Sequence, residues 1–268
     1  MSGKEIIIMK ENRNGEKWTR EETILAFELY CRIPFVKINQ SNPQIIELAE
    51  LLGRTPGSIA LKMHNLAHHD PELQKRNVSG MAHGSRLDAE IFAEFSDDLT
   101  KLAYQAQIIK AKIKNQNLTD MVDCRDIEKI PEGEYKEQMV KISIGQYFFR
   151  MAVSNSYGNR CCITGLGKAG LLVASHIKPW NVSNETEKTN PKNGLCLNAL
   201  HDKAFDKGLI TLNNDYQIII SNRLNDTAMD LKTKEWFFSY NRLQICLPEK
   251  FLSDKKFIEY HNDVIFQR

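Results

Sequence analysis

The chain has 268 residues, of which 42% are hydrophobic and 26% are charged, the composition of a globular protein of one or two domains. Its 36 basic and 34 acidic residues leave a formal charge of only +2, so a surface for a polyanion must come from local charge segregation. No apolar run approaches the length of a membrane span or of a signal-peptide core. The six cysteines lack the spacing of a disulfide framework and read as reduced thiols, so we expect a cytoplasmic protein with no membrane contact.

Capping patterns divide the first hundred residues into helices. Thr19 predicts the start of the first helix through a capping box. Asn42 predicts the start of the second helix, Gly53 its end and Thr55 the start of the third, and this pair is a helix-turn-helix candidate. Apolar residues at helical spacing predict one longer helix over residues 87–113.

A polar, acidic stretch separates this helical region from the rest of the chain. Residues 115–136 contain Pro131 and Gly133, which favour an interdomain linker. Strand and helix signals alternate after it. We therefore expect an α+β protein with a helical DNA-recognition domain at residues 1–114, a linker at 115–136 and a second domain at 137–268.

The second domain begins with a basic segment. From Gln138 to Trp180 there is no Asp or Glu, although the segment contains five cationic residues: Lys141, Arg150, Arg160, Lys168 and Lys178. Such segregation in a balanced chain is compatible with a solvated face, or with a surface that binds phosphates.

Three polar residues lie within or just after the basic segment. His176 lies near the end of the apolar, strand-like stretch LLVASHI, and Asn193 precedes a glycine that marks a bend. The stretch LCLNALHDKAFD then reads as a helix that carries His201 about two turns in. A strand, a loop and a helix in this order can bring two histidines to one small site.

Residues 144–220 resemble the HNH endonuclease family, whose core is the ββα-metal fold. The resemblance is to the subfamily at the C-terminus of many bacterial restriction endonucleases. Its matching blocks, in order, are GQYFFR (145–150), YGNRCCITG (157–165), ASHIKPW (174–180), NPKNGLCL (190–197) and HDKAFDKGLI (201–210). The resemblance implies a ββα-metal nuclease domain that hydrolyses phosphodiester bonds.

The resemblance also implies roles for individual residues. His176 takes the position of the general base, Asn193 that of the residue that orients it, and His201 that of a metal ligand. The implied cofactor is a divalent ion, Mg²⁺ or alternatively Mn²⁺. Many family members have a metal-binding Asp before the base histidine, where this chain has Ser175. Asp206 is therefore expected as a further metal ligand, with Asp202 as the alternative.

The partner that the resemblance implies is double-stranded DNA. The N-terminal domain is expected to read modified (methylated) cytosine, with Arg54, Ser58 and Lys62 at the start of the third helix as DNA contacts. Arg160 and Lys178 are the expected contacts of the nuclease domain. A homodimer would cut both strands. The alternatives are a restriction enzyme for an unmodified sequence and a DNA-binding regulator with a degenerate nuclease site.

Aromatic side chains of the first region offer a pocket for an altered base or part of a helical core. Their spacing favours the core. They are Trp18, Tyr30, Phe35, Phe92, Phe95 and Tyr104.

Overall fold

A computed structural model describes residue 13 and residues 15–75, 84–121, 134–225 and 228–268. Most of the predicted linker, residues 122–133, lies outside these described ranges. The fold is α+β, with a helical N-terminal region and a C-terminal region that contains both β-hairpins. The N-terminal helices are α1 (Arg20–Arg32), α2 (Pro43–Leu52), α3 (Pro56–Ala67), α4 (Pro71–Lys75), α5 (Arg86–Phe95) and α6 (Leu99–Lys114).

The predicted helix starts are confirmed by their hydrogen bonds. The hydroxyl of Thr19 accepts from the Glu22 amide, and the Glu22 carboxylate accepts from the Thr19 amide, as a capping box requires. Gly53 ends α2 in the left-handed conformation, with φ of 67°. The single helix expected over residues 87–113 is wrong, because Asp98 caps the start of α6 and divides the stretch into α5 and α6.

A long helix, α7 (Glu134–Ser156), leads into the C-terminal domain. Strand β1 (Leu172–His176) then pairs antiparallel with β2 (Gly194–Asn198), so that Ser175 lies opposite Leu195. Helix α9 (Ala199–Asp206) follows directly, with the side chain of Asn198 as its N-cap. The expectation that LCLN belongs to a helix is wrong, because these residues form β2 and His201 lies in the first turn of α9.

Shorter elements complete the C-terminal domain. A second hairpin pairs β3 (Ile210–Leu212) with β4 (Ile218–Ile220). The remaining helices are α8 (Glu185–Lys188), α10 (Asn222–Asn225), α11 (Leu231–Phe238) and α12 (Lys255–Tyr260), with a π-helical turn at His261–Ile265. Single 3₁₀ turns lie at Phe35–Lys37, Leu118–Met121, Ala169–Leu171, Trp180–Val182 and Pro191–Asn193.

Helix α7 belongs to both hydrophobic cores of the described chain. Ile144 and Phe148 are buried in the core of the N-terminal helices. Phe149 and Val153 are buried in the core that contains the two hairpins. The two cores therefore meet along one helix, which packs against both strands of the β1–β2 hairpin.

A segment near the C-terminus also connects the two parts. The buried ammonium of Lys250 donates to the carbonyls of Tyr30 and Ile33 at the end of α1. Three residues later, the hydroxyl of Ser253 donates to the carbonyl of Gly194 in β2, at 3.3 Å. This segment thus ties the end of α1 to the strand that carries the site. Across the described ranges, no helix combines the length and apolar character of a membrane span.

Candidate active site

A cleft of about 450 Å³ lies where β1 and its following loop face α9. It contains three kinds of group that can act on a phosphodiester: one imidazole, two carboxylates and two ammonium groups. Its lining residues are Val173, Ala174, Ser175, His176, Pro179, Trp180, Asp202, Lys203, Asp206 and Lys207. The strand and the helix of the ββα unit thus supply opposite walls.

Ring stacking and one hydrogen bond fix the side chain of His176 at the end of β1. The imidazole stacks on Phe149 of α7, with ring centroids 3.9 Å apart, and meets the edge of Trp180. Its Nε2 lies 2.7 Å from the carbonyl oxygen of Lys188. Because a carbonyl oxygen only accepts, Nε2 must carry the proton, and the neutral ring presents the lone pair of Nδ1. Nδ1 has no hydrogen-bond partner among the described residues.

The surroundings of His176 favour its neutral form. Burial lowers its pKa below the ordinary value, and the hydrogen bond to the Lys188 carbonyl offsets only part of this effect. A neutral imidazole with a defined tautomer is the form that accepts a proton from water.

Asn193 fixes the loop between β1 and β2. It is fully buried, and its Oδ1 accepts from the Lys178 amide at 2.8 Å. Its Nδ2 donates to the carbonyls of Lys178 and Glu187, at 3.1 and 3.2 Å. The loop it holds includes Lys188, whose carbonyl fixes the ring of His176. The structure therefore places Asn193 next to the histidine's support rather than in the cleft.

Two carboxylates face the cleft from α9. Asp202 and Asp206 are four residues apart and lie on one side of the helix. Partial desolvation and the charge of Asp202 raise the pKa of Asp206. Two like charges held close together are stabilised by a bound cation, and carboxylate oxygens are the ligands that Mg²⁺ prefers.

The carboxylate pair suits a hard ion that keeps several water ligands better than an ion whose ligands all come from the protein. Among the described residues, no group of three or more His, Cys, Asp and Glu side chains is arranged to hold a metal. Mg²⁺ commonly keeps several waters and uses one or two carboxylates together with substrate phosphate oxygens. Asp202 and Asp206 suit that mode of binding.

Ser175 adds an unpaired hydroxyl to the same cleft. The residue is only 3% exposed, and its Oγ has no hydrogen-bond partner in the described part of the chain. A buried hydroxyl without a partner is costly in a fold and is usual where a ligand or water completes the site. The hydroxyl therefore suits a water or phosphate oxygen in the cleft.

His201 lies outside the cleft, in the core beneath α9. Its Nε2 is 2.9 Å from the carbonyl oxygen of Trp236, and its Nδ1 is 2.8 Å from Nδ2 of Asn198. The ring also contacts Phe237 and Tyr240. Both ring nitrogens are engaged within the protein. These contacts favour a packing role for His201, and the metal-ligand role implied by the resemblance stays a prediction.

The predicted DNA contacts at the start of α3 lie largely in the interior. The guanidinium of Arg54 donates to Glu22 at 2.9 Å and stacks on Trp18. The ammonium of Lys62 is buried and lies 2.6 Å from Asp88. Arg54 and Lys62 are thus buried in ion pairs with acidic residues that are far from them in the sequence. Ser58 is half-buried, and its amide is capped by Thr55.

The predicted contacts of the second domain, Arg160 and Lys178, are not among the residues that line the cleft. Arg160 is exposed, with one bond to the Gly165 carbonyl. Lys178 is half-buried and pairs with Glu187 at 2.6 Å. Sequence reasoning missed Lys203 and Lys207, which are exposed and line the cleft itself. The four-residue spacing from Lys203 to Lys207, parallel to that of the aspartates, is the signal that could have identified them.

Two comparisons with known proteins found matches to parts of this chain. The sequence model of a family described as HNH endonuclease matches residues 161–213. Among solved structures, the chain is similar to a modification-dependent TagI restriction endonuclease, with 17% identity and a TM-score of 0.26. That alignment covers 43% of this chain and 36% of the TagI chain, so the protein spans little more than a third of TagI's length. No curated protein matches the chain. The match to the HNH endonuclease family thus lies over residues 161–213, which include β1, β2 and α9.

Proposed function

We propose that the protein is a divalent-metal-dependent endonuclease that hydrolyses phosphodiester bonds of double-stranded DNA. The observation that carries the proposal is the cleft that His176, Asp202 and Asp206 line together, with Nδ1 of His176 left without a hydrogen-bond partner among the described residues. A general base opposite a cation-binding carboxylate pair is the arrangement that in-line attack of water on a phosphate requires.

The reaction follows from these positions. Nδ1 of His176 takes a proton from the attacking water, whose oxygen forms a bond to phosphorus. The bond from phosphorus to the leaving sugar oxygen breaks, and that oxygen takes a proton from solvent. During this step Nε2 keeps its bond to the Lys188 carbonyl, so the ring neither turns nor changes tautomer. Lys203 and Lys207, which line the cleft, supply positive charge for the phosphate.

Asp202 and Asp206 would hold the divalent ion, Mg²⁺ or alternatively Mn²⁺. The ion would supply charge neutralisation at the phosphate and at the leaving oxygen. The hydroxyl of Ser175, buried and without a partner among the described residues, would complete the site through a water or phosphate oxygen.

We further propose that the protein is a bacterial restriction enzyme that acts on DNA with modified cytosine. Its two regions would have separate roles in cutting and in recognition. Phosphate contacts around the HNH cleft carry no sequence information, so discrimination falls to the N-terminal helices at residues 1–114. A homodimer would present two clefts, one for each strand. A restriction enzyme for an unmodified sequence would have the same cleft and a different preference.

Digestion of supercoiled plasmids with defined cytosine methylation tests this proposal. Wild-type protein should nick or linearise methylated plasmid with Mg²⁺ and leave it intact with chelator. Equal cutting of methylated and unmethylated plasmid would refute the preference for modified cytosine. Activity in chelator would refute the metal dependence. A protein that binds plasmid without cutting it under any condition would be a regulator.

A further inference from the structure

A second cavity of about 450 Å³ lies among the N-terminal helices and has no role in the chemistry described above. It is enclosed by α1, α2, α6 and α7. Its apolar wall consists of Leu25, Leu29, Leu48, Leu51 and Ile144. Its polar wall consists of Arg32, Gln44, Glu47, Gln107, Lys110, Lys114, Ser143 and Tyr147. The volume is in the range of cavities that hold small aromatic ligands.

A buried ion cluster forms one wall of this cavity. Glu28 accepts from Nε and Nη2 of Arg32 and lies 3.1 Å from the ammonium of Lys110. These two cations outweigh the effect of burial and hold the pKa of Glu28 at about 2. Glu28 thus orients Arg32 as a fixed donor.

Arg32 retains donors for a ligand. The residue is only 8% exposed and lines the cavity, yet its Nη1 has no hydrogen-bond partner in the described ranges. A guanidinium that is held on one edge by a carboxylate offers its other edge to the acceptors of a planar ligand. Arg32 therefore points to a ligand with carbonyl-type or ring-nitrogen acceptors.

The other polar residues of the cavity keep hydrogen-bonding groups for a ligand, and Glu47 and Tyr147 also interact with the charge of Arg32. The side chains of Gln44, Glu47, Gln107 and Tyr147 have no hydrogen-bond partner within the described residues. Tyr147 is 52% exposed, as a ring at the rim that could cover a flat ligand would be. Lys114 is exposed beside it and adds a cation suited to a phosphate.

We propose that this cavity binds one cytosine nucleotide extruded from the DNA that the protein cuts. The acceptors O2 and N3 of cytosine suit Arg32, its amino group suits the carboxylate of Glu47, and its phosphate suits Lys114. The leucines of the apolar wall leave a 5-methyl group in contact with hydrocarbon. The proposal rests on the proposed function, because it supplies the site at which modified cytosine is read.

The cavity, rather than the aromatic set considered from the sequence, has the features of a reading site. Tyr30 and Phe95 are buried in the N-terminal core, and Trp18, Phe35, Phe92 and Tyr104 pack against it. Tyr147 lies on α7, two residues before Phe149, which supports the ring of His176. One helix therefore contacts both the cavity and the general base.

Saturation-transfer NMR on the full chain, in chelator, tests the cavity without any cleavage. The probes are dCMP, 5-methyl-dCMP and dUMP. We expect 5-methyl-dCMP to bind in the millimolar range or tighter and dCMP about fourfold more weakly, because dCMP lacks the methyl group that contacts the leucines. dUMP, which lacks the amino group, should bind about tenfold more weakly than dCMP. Tyr147→Ala should weaken dCMP binding about tenfold, since it removes a stacked ring. Glu47→Gln should abolish the preference for dCMP over dUMP.

Lys112 and Lys114 provide the matched control. Both lie on α6 and both are exposed, but only Lys114 lines the cavity. Lys114→Ala should weaken dCMP binding and Lys112→Ala should leave it unchanged. Absence of dCMP binding, equal binding of dUMP, or equal effects of the two lysine variants would overturn the proposal. A protein that binds dCMP here but never cuts DNA would refute the proposed nuclease reaction and leave the cavity's assignment intact.

Discussion

The Nε2 atom of His176 lies 2.7 Å from the carbonyl oxygen of Lys188. This contact determines which nitrogen of His176 is the base. It depends on Asn193, because the amide of that residue holds both ends of the loop that carries Lys188. A change in the loop should therefore affect catalysis through the orientation of one ring, even though Asn193 does not touch the cleft.

The pH dependence of cleavage should report the lowered pKa of His176. The base acts when it is deprotonated, so the single-turnover rate should rise with pH and reach its plateau through a midpoint below the ordinary histidine value of 6.5. Burial of the ring is the cause of the downward shift. Rates measured across this range at saturating Mg²⁺ provide the check. A midpoint above 6.5 would contradict the placement of the ring.

The carboxylates of α9 should determine the metal requirement. Asp202→Asn and Asp206→Asn should each raise the half-saturating Mg²⁺ concentration by about tenfold or more, because each removes one of two anionic ligands. Asp215→Asn, in the exposed turn between β3 and β4, is the control and should have no effect. Magnesium titrations of plasmid cleavage measure all three. Unchanged titrations for both α9 variants would exclude these carboxylates as ligands.

A carboxylate at position 175 should strengthen Mg²⁺ binding in the cleft. Ser175→Asp adds a third anion near Asp202 and Asp206, so it should lower the melting temperature without metal and lower the half-saturating Mg²⁺ concentration. Ser175→Ala should leave the melting temperature equal or higher, since it removes a buried, unpaired hydroxyl. Thermal melts with and without Mg²⁺ distinguish these effects. Identical behaviour of the two variants toward Mg²⁺ would show that position 175 does not face the ion.

His201 should contribute to stability and not to metal binding. His201→Ala leaves the Trp236 carbonyl without its donor and removes a buried ring, which should cost at least about 1–3 kcal/mol of unfolding free energy. Urea unfolding measures this loss. The half-saturating Mg²⁺ concentration of the remaining folded enzyme should match the wild type. A marked shift in that concentration would restore the ligand role for His201.

Local signals were enough to predict much of the fold. The caps at Thr19, Asn42 and Thr55 act within three residues of themselves, so the starts of α1 to α3 could be read directly. The sequence of β2 resembles the start of a helix, because its three apolar residues directly precede Asn198, the N-cap of α9. Only the pairing with β1 distinguishes a strand from a helix here. Asp98 is a residue type that favours a helix start and so indicates the break before α6, whereas the apolar spacing runs through the break and indicates one helix.

The site was predictable only in part, because burial depends on residues far along the chain. His176 and Asn193 could be located by motif, whereas the inward turn of His201 depends on a carbonyl 35 residues later. The burial of Arg54 depends on Glu22, and that of Lys62 depends on Asp88. No local pattern announces such partners. The four-residue spacing of Asp202 and Asp206, by contrast, was visible in the sequence.

The most direct test of the account is single-turnover DNA cleavage by two variants of His176. His176→Ala removes the ring, and His176→Gln retains a donor for the Lys188 carbonyl but offers no basic nitrogen. The control is His64→Ala, because the Nε2 of His64 likewise lies 3.2 Å from a backbone carbonyl, that of Ile38, far from the cleft. The account predicts that both His176 variants bind DNA normally and lose about 10²–10⁴-fold in rate, while His64→Ala cleaves like the wild type. Cleavage by His176→Gln within a few-fold of the wild-type rate would contradict the assignment of the general base.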